Sequence, residues 1–461
     1  MNSRQALPYT PERVRYSTNW QVPARSLYIP WGQRTDVRVR EFPILGDEDE
    51  RTIEAFATGL DREAARVLAY LVGREESDRF SGEAASRLAV RVGVDLGRGR
   101  VSDVLGTLTD LGLVVETTVN SEAPGRPPKG WRAAAGRNET LSRVRARHSE
   151  ALLDQAATVA STLGGDIAVD TAGPTPPDRA AGAVEVGLNW EPNGLHAPLF
   201  AGTYADHGVD VTLTGCRGSR AALSAVADGD VDVGLAGAAT LLRAHASEHE
   251  MVPLALYYQR AMVVLYTTRS AFGGPLRSVE DVRGRRVAMP AGSETGALGR
   301  LFLAQAGVVD DVTVVRADGE EREALLDGDA DVATGVFTDP LELEAAGYDV
   351  DSVLLADHFP VPGPAFVVRR ETLRQRPDAL RGFLEGAMDG WAAARIDPDA
   401  AATTVADHSG DPVADERRKL EGAFGRFAGS DAVEKNGWGW HSTETWERLR
   451  VALEQAAAIN S

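Results

Sequence analysis

Residues 184–200 constrain the fold of this 461-residue chain more than any other stretch. Val184, Val186 and Leu188 alternate as in a strand with one buried face, and Pro192 ends that pattern inside a polar turn. Apolar sequence then resumes through Leu195, Ala197 and Phe200. Trp190, Asn193 and His196 are thereby gathered at one strand end. An indole offers a stacking face, while an amide and an imidazole hydrogen-bond ring nitrogens, so the trio suits a flat heterocycle.

Charge is the unusual part of the composition. Acidic residues outnumber basic ones 68 to 49, giving a net charge of −19, and only Lys129, Lys419 and Lys435 are lysines. Acidic, lysine-poor usage of this kind resembles that of a halophilic archaeon, so bulk charge says little about partners. The single cysteine, Cys216, excludes an internal disulfide and cysteine-based zinc or iron–sulfur sites. The terminus Met1-Asn-Ser-Arg-Gln-Ala-Leu-Pro8 carries no basic segment followed by an apolar core, and no apolar run reaches membrane-spanning length. A cytoplasmic location without membrane attachment is expected.

Residues 1–52 combine Trp20, Tyr28, Trp31 and Phe42 with no sustained period, which predicts a partly ordered arm. Helical spacing begins at Ala64, Val67, Leu68 and Leu71, and further helices are predicted over about 82–92 and 99–111. A strand over 113–119 leads into a turn through Pro124, Gly125, Arg126, Pro127, Pro128 and Lys129, then Trp131 and Arg132. Three short helices followed by a hairpin is the layout of a winged helix-turn-helix, predicted here over 53–136. The hairpin tip resembles the wing of archaeal winged-helix regulators. Residues 81–150 hold 11 Arg/Lys against 8 Asp/Glu, a basic island in an acidic chain. DNA is the expected partner, with Arg98, Arg100 and Ser102 at the recognition helix and Arg126 and Lys129 at the wing. The same arginines also suit a solvated face of a protein-contact module.

A longer helix over 137–165 places Leu141, Val144, His148, Leu152, Ala156, Val159 and Leu163 near one face. Such a seam pairs two protomers into a homodimer or packs on its own chain. Residues 166–183, with Pro174, Pro176 and Pro177, read as a linker.

From 184 onward short β-rich runs alternate with helices. Strands are predicted at 184–188, 209–213, 231–235, 263–267, 286–289, 312–315 and 365–368. The opening motif resembles that of two-lobed binding proteins for the pyrimidine precursor of thiamine, and of the related fungal pyrimidine synthase. Further landmarks follow in order: Val209-Asp210-Val211, Val231-Asp232-Val233-Gly234, Ser278 to Val287, Ala330-Asp331-Val332 and Asn436 to Trp446. The resemblance implies a type 2 periplasmic-binding-protein fold over 184–461, with one lobe from 184–267 and 365–461 and the other from 268–364. The overall expectation is a multidomain α/β protein with a winged helix-turn-helix ahead of a two-lobed domain.

The expected ligand residues are Trp190, Asn193 and His196, with Tyr257 as a stacking face beside Tyr258. Ser293, Glu294 and Thr295 form a polar cradle before a helix, which ordinary N-capping would also explain. Phe337 and Asp339 close the site, with Glu342 competing for the carboxylate role. The synthase relatives use a lysine, a histidine and a cysteine-rich stretch; those positions fall on Ala236, Thr240 and residues 357–364, which carry none of them. No catalytic residue, cofactor or metal is therefore expected, His245 and His249 being read as a solvated helix end. The combined expectation is a one-component transcriptional regulator that senses a thiamine pyrimidine precursor such as hydroxymethylpyrimidine. A solute-binding component of an uptake system and a thiamine pyrimidine biosynthesis protein are the competing readings.

Overall fold

Asp61 opens the first long helix by accepting a hydrogen bond from the Ala64 N–H at 2.9 Å. In the computed structural model, which describes residues 44–119, 127–163, 182–245 and 251–459, that helix is preceded by a shorter one. These are α1 (Glu50–Ala57) and α2 (Arg62–Glu76). A two-residue strand β1 (Ala85–Ser86) runs into α3 (Arg87–Val94), whose first turn is capped by the Ser86 hydroxyl. Asp95 stops α3 in the left-handed region at φ 54°, where a short polar side chain is tolerated. Then come α4 (Arg98–Asp110), β2 (Val114–Thr118), β3 (Lys129–Ala133) and the 27-residue α5 (Arg137–Leu163). The strands form an antiparallel sheet in the order β1-β3-β2. Val67, Leu68, Leu71, Val90, Val101, Leu105 and Leu108 fill the core between helices and sheet. Residues 1–43 of the expected arm, Arg126, residues 166–181 of the linker and His249 lie outside the described residues, while residues 50–52, expected in the arm, open α1.

Helix α5 joins this head to the rest of the chain. Val144 belongs to the head core, whereas Leu152, Leu153, Ala156 and Ala160 are buried in the core of the following domain. The seam offered for pairing protomers is thus spent on its own chain, and its His148 is buried with Nε2 2.6 Å from the Trp438 carbonyl oxygen. Periodicity identifies an apolar face; which surface covers that face is a tertiary outcome.

The larger domain contains two five-stranded sheets. The first lobe supplies β4 (Ala183–Leu188), α6 (Ala197–Phe200), β5 (Asp210–Gly215), α7 (Ser219–Asp228), β6 (Val233–Ala236), α8 (Ala238–His245) and β7 (Met251–Leu256). The second supplies β8 (Val263–Thr268), α9 (Arg269–Phe272), β9 (Arg286–Met289), α10 (Glu294–Gln305), β10 (Thr313–Arg316), α11 (Glu321–Leu326), β11 (Val332–Val336), α12 (Thr338–Ala345) and β12 (Val350–Leu354). The chain returns through β13 (Ala365–Arg369), α13 (Arg370–Gln375), α14 (Pro377–Ile396), α15 (Pro398–Ser409), α16 (Val413–Phe427), α17 (Asp431–Asn436) and α18 (Thr443–Ile459). Sheet orders are β5-β4-β6-β13-β7 and β10-β9-β11-β8-β12. In each lobe three parallel strands meet an antiparallel strand that follows a crossing, β13 or β8. The crossings occupy 257–262 and 355–364. Strand β8 therefore belongs to the second lobe, against the expectation that the first lobe runs to 267. Its residues are buried on both faces, so the sequence pattern carries no mark of which sheet they enter.

The repeated Val-Asp landmark has the same structural role in both lobes. Asp232, ahead of β6, accepts from the Glu185 N–H on β4 at 3.0 Å and from Arg376 at 2.6 Å. Asp331, ahead of β11, accepts from the Arg286 N–H on β9 at 2.8 Å and pairs with that arginine's guanidinium at 2.7 Å. Each carboxylate satisfies an edge donor at the start of the neighbouring parallel strand.

A charge cluster ties α5 and α14 to the first lobe. His207 Nε2 lies 2.8 Å from Asp389 and Nδ1 3.0 Å from Glu385, while Arg145 also pairs with Asp389. Hydrogen bonds to Asp389 and Glu385 raise the imidazole to about 9. A histidine raised above its unfolded value of about 6.5 adds stability below that pH and loses it as pH climbs through about 9. After screening by solvent the contribution is about 1–2 kcal/mol. Denaturant midpoints of the native chain are therefore expected to fall between pH 6.5 and 9, and His207→Gln is expected to remove that slope. An unchanged slope in the variant would assign it to other groups.

Candidate functional site

The segments that follow β6 and β9 meet across the two lobes, where Glu294 reaches Ala239 and Thr240; strand ends and helix starts of this kind offer backbone donors to a ligand. On the first lobe β4 delivers Asn189, Trp190 and Glu191. Trp190 remains 57% exposed, an aromatic face open to stacking. The other two members of the sequence trio shape the turn. Asn193 accepts from the Leu195 N–H at 2.9 Å and donates to the Glu191 carbonyl at 3.0 Å. His196 is buried, with Nε2 3.0 Å from Asn189 Oδ1, and burial pushes it down to about 3, so it is neutral. Its Nδ1 is buried without a hydrogen-bond partner.

Tyr257 and Tyr258 are also buried rather than presented to the cleft. Both hydroxyls donate to the Leu195 carbonyl, at 2.9 and 3.0 Å, and the rings meet edge to face at 4.7 Å. They brace the turn from beneath. Glu416 on α16 accepts from the Gly194 N–H, with the Lys419 ammonium 3.6 Å away. That brace was not read from the sequence, because it joins residues 222 positions apart.

On the second lobe Ser293 caps α10 by accepting from the Gly296 N–H at 3.1 Å, and its hydroxyl lies 3.0 Å from that of Thr295. Glu294 points the other way, into the first lobe, where it meets Ala239 and Thr240 of α8. Asp339 accepts from the Val336 N–H at 2.7 Å, with Arg322 at 3.6 Å, and burial raises its carboxyl to about 6. Glu342 is held by Arg322 at 2.5 Å. Phe337 is buried against Phe427 of α16, ring centres 4.8 Å apart. The structure thus gives an exposed Trp190 above a braced turn, with Glu294, Phe337 and Asp339 engaged between or within the lobes.

The head carries a second concave surface. A groove of about 540 Å³ is lined by Ser86, Arg87, Leu88, Arg91, Arg98, Pro128, Lys129 and Trp131. None of these described lining residues is acidic. Arg87 lies over the Trp131 ring at 5.6 Å, and Leu88 is exposed at the rim. Arg98 and Lys129 come together here, Lys129 also pairing with Glu116 at 2.7 Å. Arg100 is engaged with Glu63 of α2, and the Ser102 hydroxyl donates to the Arg98 carbonyl at 3.1 Å. Arg87 and Arg91 were not singled out from the sequence; their i, i+4 spacing on one side of α3 is the signal that marks them.

The segment 437–441 links head and cleft. The Trp438 N–H donates to the Thr58 carbonyl at 2.9 Å, the Gly439 carbonyl accepts from Leu256 at 2.9 Å, and the Trp440 carbonyl accepts from the Gln259 side chain at 3.2 Å. Leu256 ends β7 just before the first crossing between lobes, and Gln259 lies within that crossing.

These sheets and crossings define a two-lobed, binding-protein-like α/β domain. The family described as NMT1/THI5 like matches residues 195–401. The riboflavin-binding protein RibY of Chloroflexus aurantiacus is 27% identical over 147 residues, 31% of this chain; the match spans only 41% of that relative's length. Among solved structures, the periplasmic aliphatic sulphonate binding protein SsuA of Escherichia coli aligns at 16% identity and a TM-score of 0.48, over 60% of this chain and 92% of its own. The Candida albicans CA3427 product aligns at 14% and 0.48, over 60% and 90%. Among the described residues no cluster of three or more His, Cys, Asp or Glu is arranged to hold a metal, and no helix is long and apolar enough to cross a membrane.

Proposed function

We propose that this chain is a cytoplasmic, ligand-responsive DNA-binding regulator, whose head grips duplex DNA and whose two-lobed domain takes a flat nitrogen heterocycle. The observation that carries the reading is the groove where Arg87, Arg91, Arg98 and Lys129 converge in a chain of net charge −19. The order β1, α3, α4 and the β2–β3 hairpin supports a winged helix-turn-helix, with α4 as reading helix and the hairpin as wing. The exposed Trp190 supports a stacked ring in the cleft. A thiamine pyrimidine precursor is the ligand that the resemblance of the 187–200 motif favours, with Trp190 as the contact residue and Asn193 and His196 shaping the turn that presents it. The relative named for riboflavin binding supports the wider class of nitrogen heterocycles. The 437–441 segment supplies the coupling: lobe movement at 257–262 pulls on residues hydrogen-bonded to Thr58, so a ligand that prefers one lobe arrangement biases the head.

Fluorescence anisotropy with labelled duplex tests the head. Log affinity is expected to fall linearly with log salt, with a slope of about −3 to −4 for four phosphate contacts. Thermal shift with hydroxymethylpyrimidine and riboflavin tests the cleft. One ring is expected to raise the melting temperature of the native chain, and Trp190→Ala is expected to abolish that rise. Absent DNA binding with a retained ligand response would favour a second reading, a solute-binding component of an uptake system, which the binding-protein-like domain supports equally.

A further inference from the structure

The cleft contains a carboxylate supplied by the protein itself. The amino ends of α8 and α10 approach from opposite lobes, and Glu294, the first residue of α10, reaches across to α8. Its carboxylate accepts from the Ala239 N–H at 3.1 Å, the Thr240 N–H at 2.6 Å and the Thr240 hydroxyl at 2.7 Å. Two backbone donors at a helix start plus a hydroxyl form the donor set that a bound oxyanion uses. Gly237 makes the approach possible, since a Cβ there would lie 2.2 Å from the Glu294 carboxyl carbon. Beside it, Arg220 of α7 donates to the Gly292 carbonyl at 2.6 Å, fixing the α10 entry loop against the first lobe. Arg243 on α8 adds positive field at the carboxylate.

We propose that Glu294 is a tethered stand-in for the acidic group of a ligand: it holds the lobes together without ligand and keeps small oxyanions out of the α8 cradle. The assignment rests on the cleft reading above and deepens it. A ligand bearing a carboxylate, phosphate or sulfonate must displace Glu294 to use these donors, whereas an uncharged heterocycle stacked on Trp190 leaves the clamp in place. The native cleft therefore selects for neutral rings over anions of similar size. Desolvation opposes the charged form of Glu294, and the three donors and Arg243 offset part of that cost.

The test uses the full chain as native protein, Glu294→Ala and Glu294→Gln, with acetate, inorganic phosphate and methanesulfonate as probes. Solution scattering and thermal shift are the readouts. In acetate-free buffer Glu294→Ala is expected to be more expanded and to melt lower than the native chain, and acetate is expected to restore both saturably. The native chain is expected to respond to acetate about tenfold more weakly or not at all, because the tethered group already fills the cradle. Glu294→Gln keeps the shape and an acceptor oxygen but loses the charge, and should fall between the two. If Glu294→Ala does not fold, the acetate response of Glu294→Gln against the native chain decides. An alanine variant as compact as the native chain and indifferent to all three anions would overturn the proposal, as would an equal acetate response in both. Acetate rescue without heterocycle binding would retain Glu294 and discard the ring-binding reading; the reverse outcome would discard only Glu294.

Discussion

Replacing Arg87 and Arg91 together by glutamate is expected to lower affinity for duplex DNA by about 100-fold or more, and to reduce the salt slope by about 2. Both arginines line the basic groove with Arg98 and Lys129; Arg91 is exposed, while Arg87 lies half-buried at the edge of the core that Ala89, Val90 and Val94 of α3 help to fill. The substitution removes two cations and adds two anions where phosphates would lie. Folding should be little disturbed, the loss of the Arg87 contact with the Trp131 ring costing about 0.5–1 kcal/mol. Arg100→Ala is the internal comparison. Its guanidinium is engaged with Glu63, so it should weaken binding only a few-fold. Equal losses in both variants, measured by anisotropy at several salt concentrations, would move the DNA face toward Arg100. No loss in either would remove DNA from the function.

The placement of arginines shows what the sequence makes legible. Helices α2 to α4 announce themselves through period and breakers, and strands β4, β9 and β13 through short apolar runs bounded by turn residues. Strand β1 is two residues long and falls inside the helix expected over 82–92, which begins only at Arg87; it exists because Ala85 and Ser86 pair with Trp131 and Gly130. The seam on α5 is plain in sequence, yet its partner is β7 and α14 of the same chain. Site residues follow the same division. Trp190 keeps the open face expected of a strand-end indole. Tyr257 and His196 have the right residue types, but their hydrogen bonds go to Leu195 and Asn189, a choice fixed by the fold around the turn. Glu294 was legible as a polar residue before a helix; that its carboxylate would serve a helix of the other lobe was not.

Trp446→Ala is expected to lower stability of the two-lobed domain by about 3–5 kcal/mol, a fall in melting temperature of roughly 6–20 °C at about 2–4 °C per kcal/mol. The indole is fully buried in a core shared by α8 and Leu241 of the first lobe, α10 and Leu298 of the second, and Leu449 of α18. Truncation therefore leaves a cavity at the junction of both lobes, which cannot collapse without moving one against the other. It also removes the Nε1–H that donates to His441 Nδ1 at 3.0 Å. His441 is buried and pushed down to about 4, so its neutral ring must accept at Nδ1 while Nε2 lies 3.3 Å from the Leu254 carbonyl. Trp446→Phe separates the two effects. It refills most of the volume and leaves only the orphaned Nδ1, at a cost of about 1–3 kcal/mol. If phenylalanine proves as damaging as alanine in denaturant titrations, the hydrogen bond to His441 dominates; if it is silent, packing between the lobes carries the whole effect. Either way, α18 is the element through which the last residues of the chain hold both lobes, and its loosening should also enlarge the acetate response of Glu294→Ala, since the same α8–α10 junction is being released.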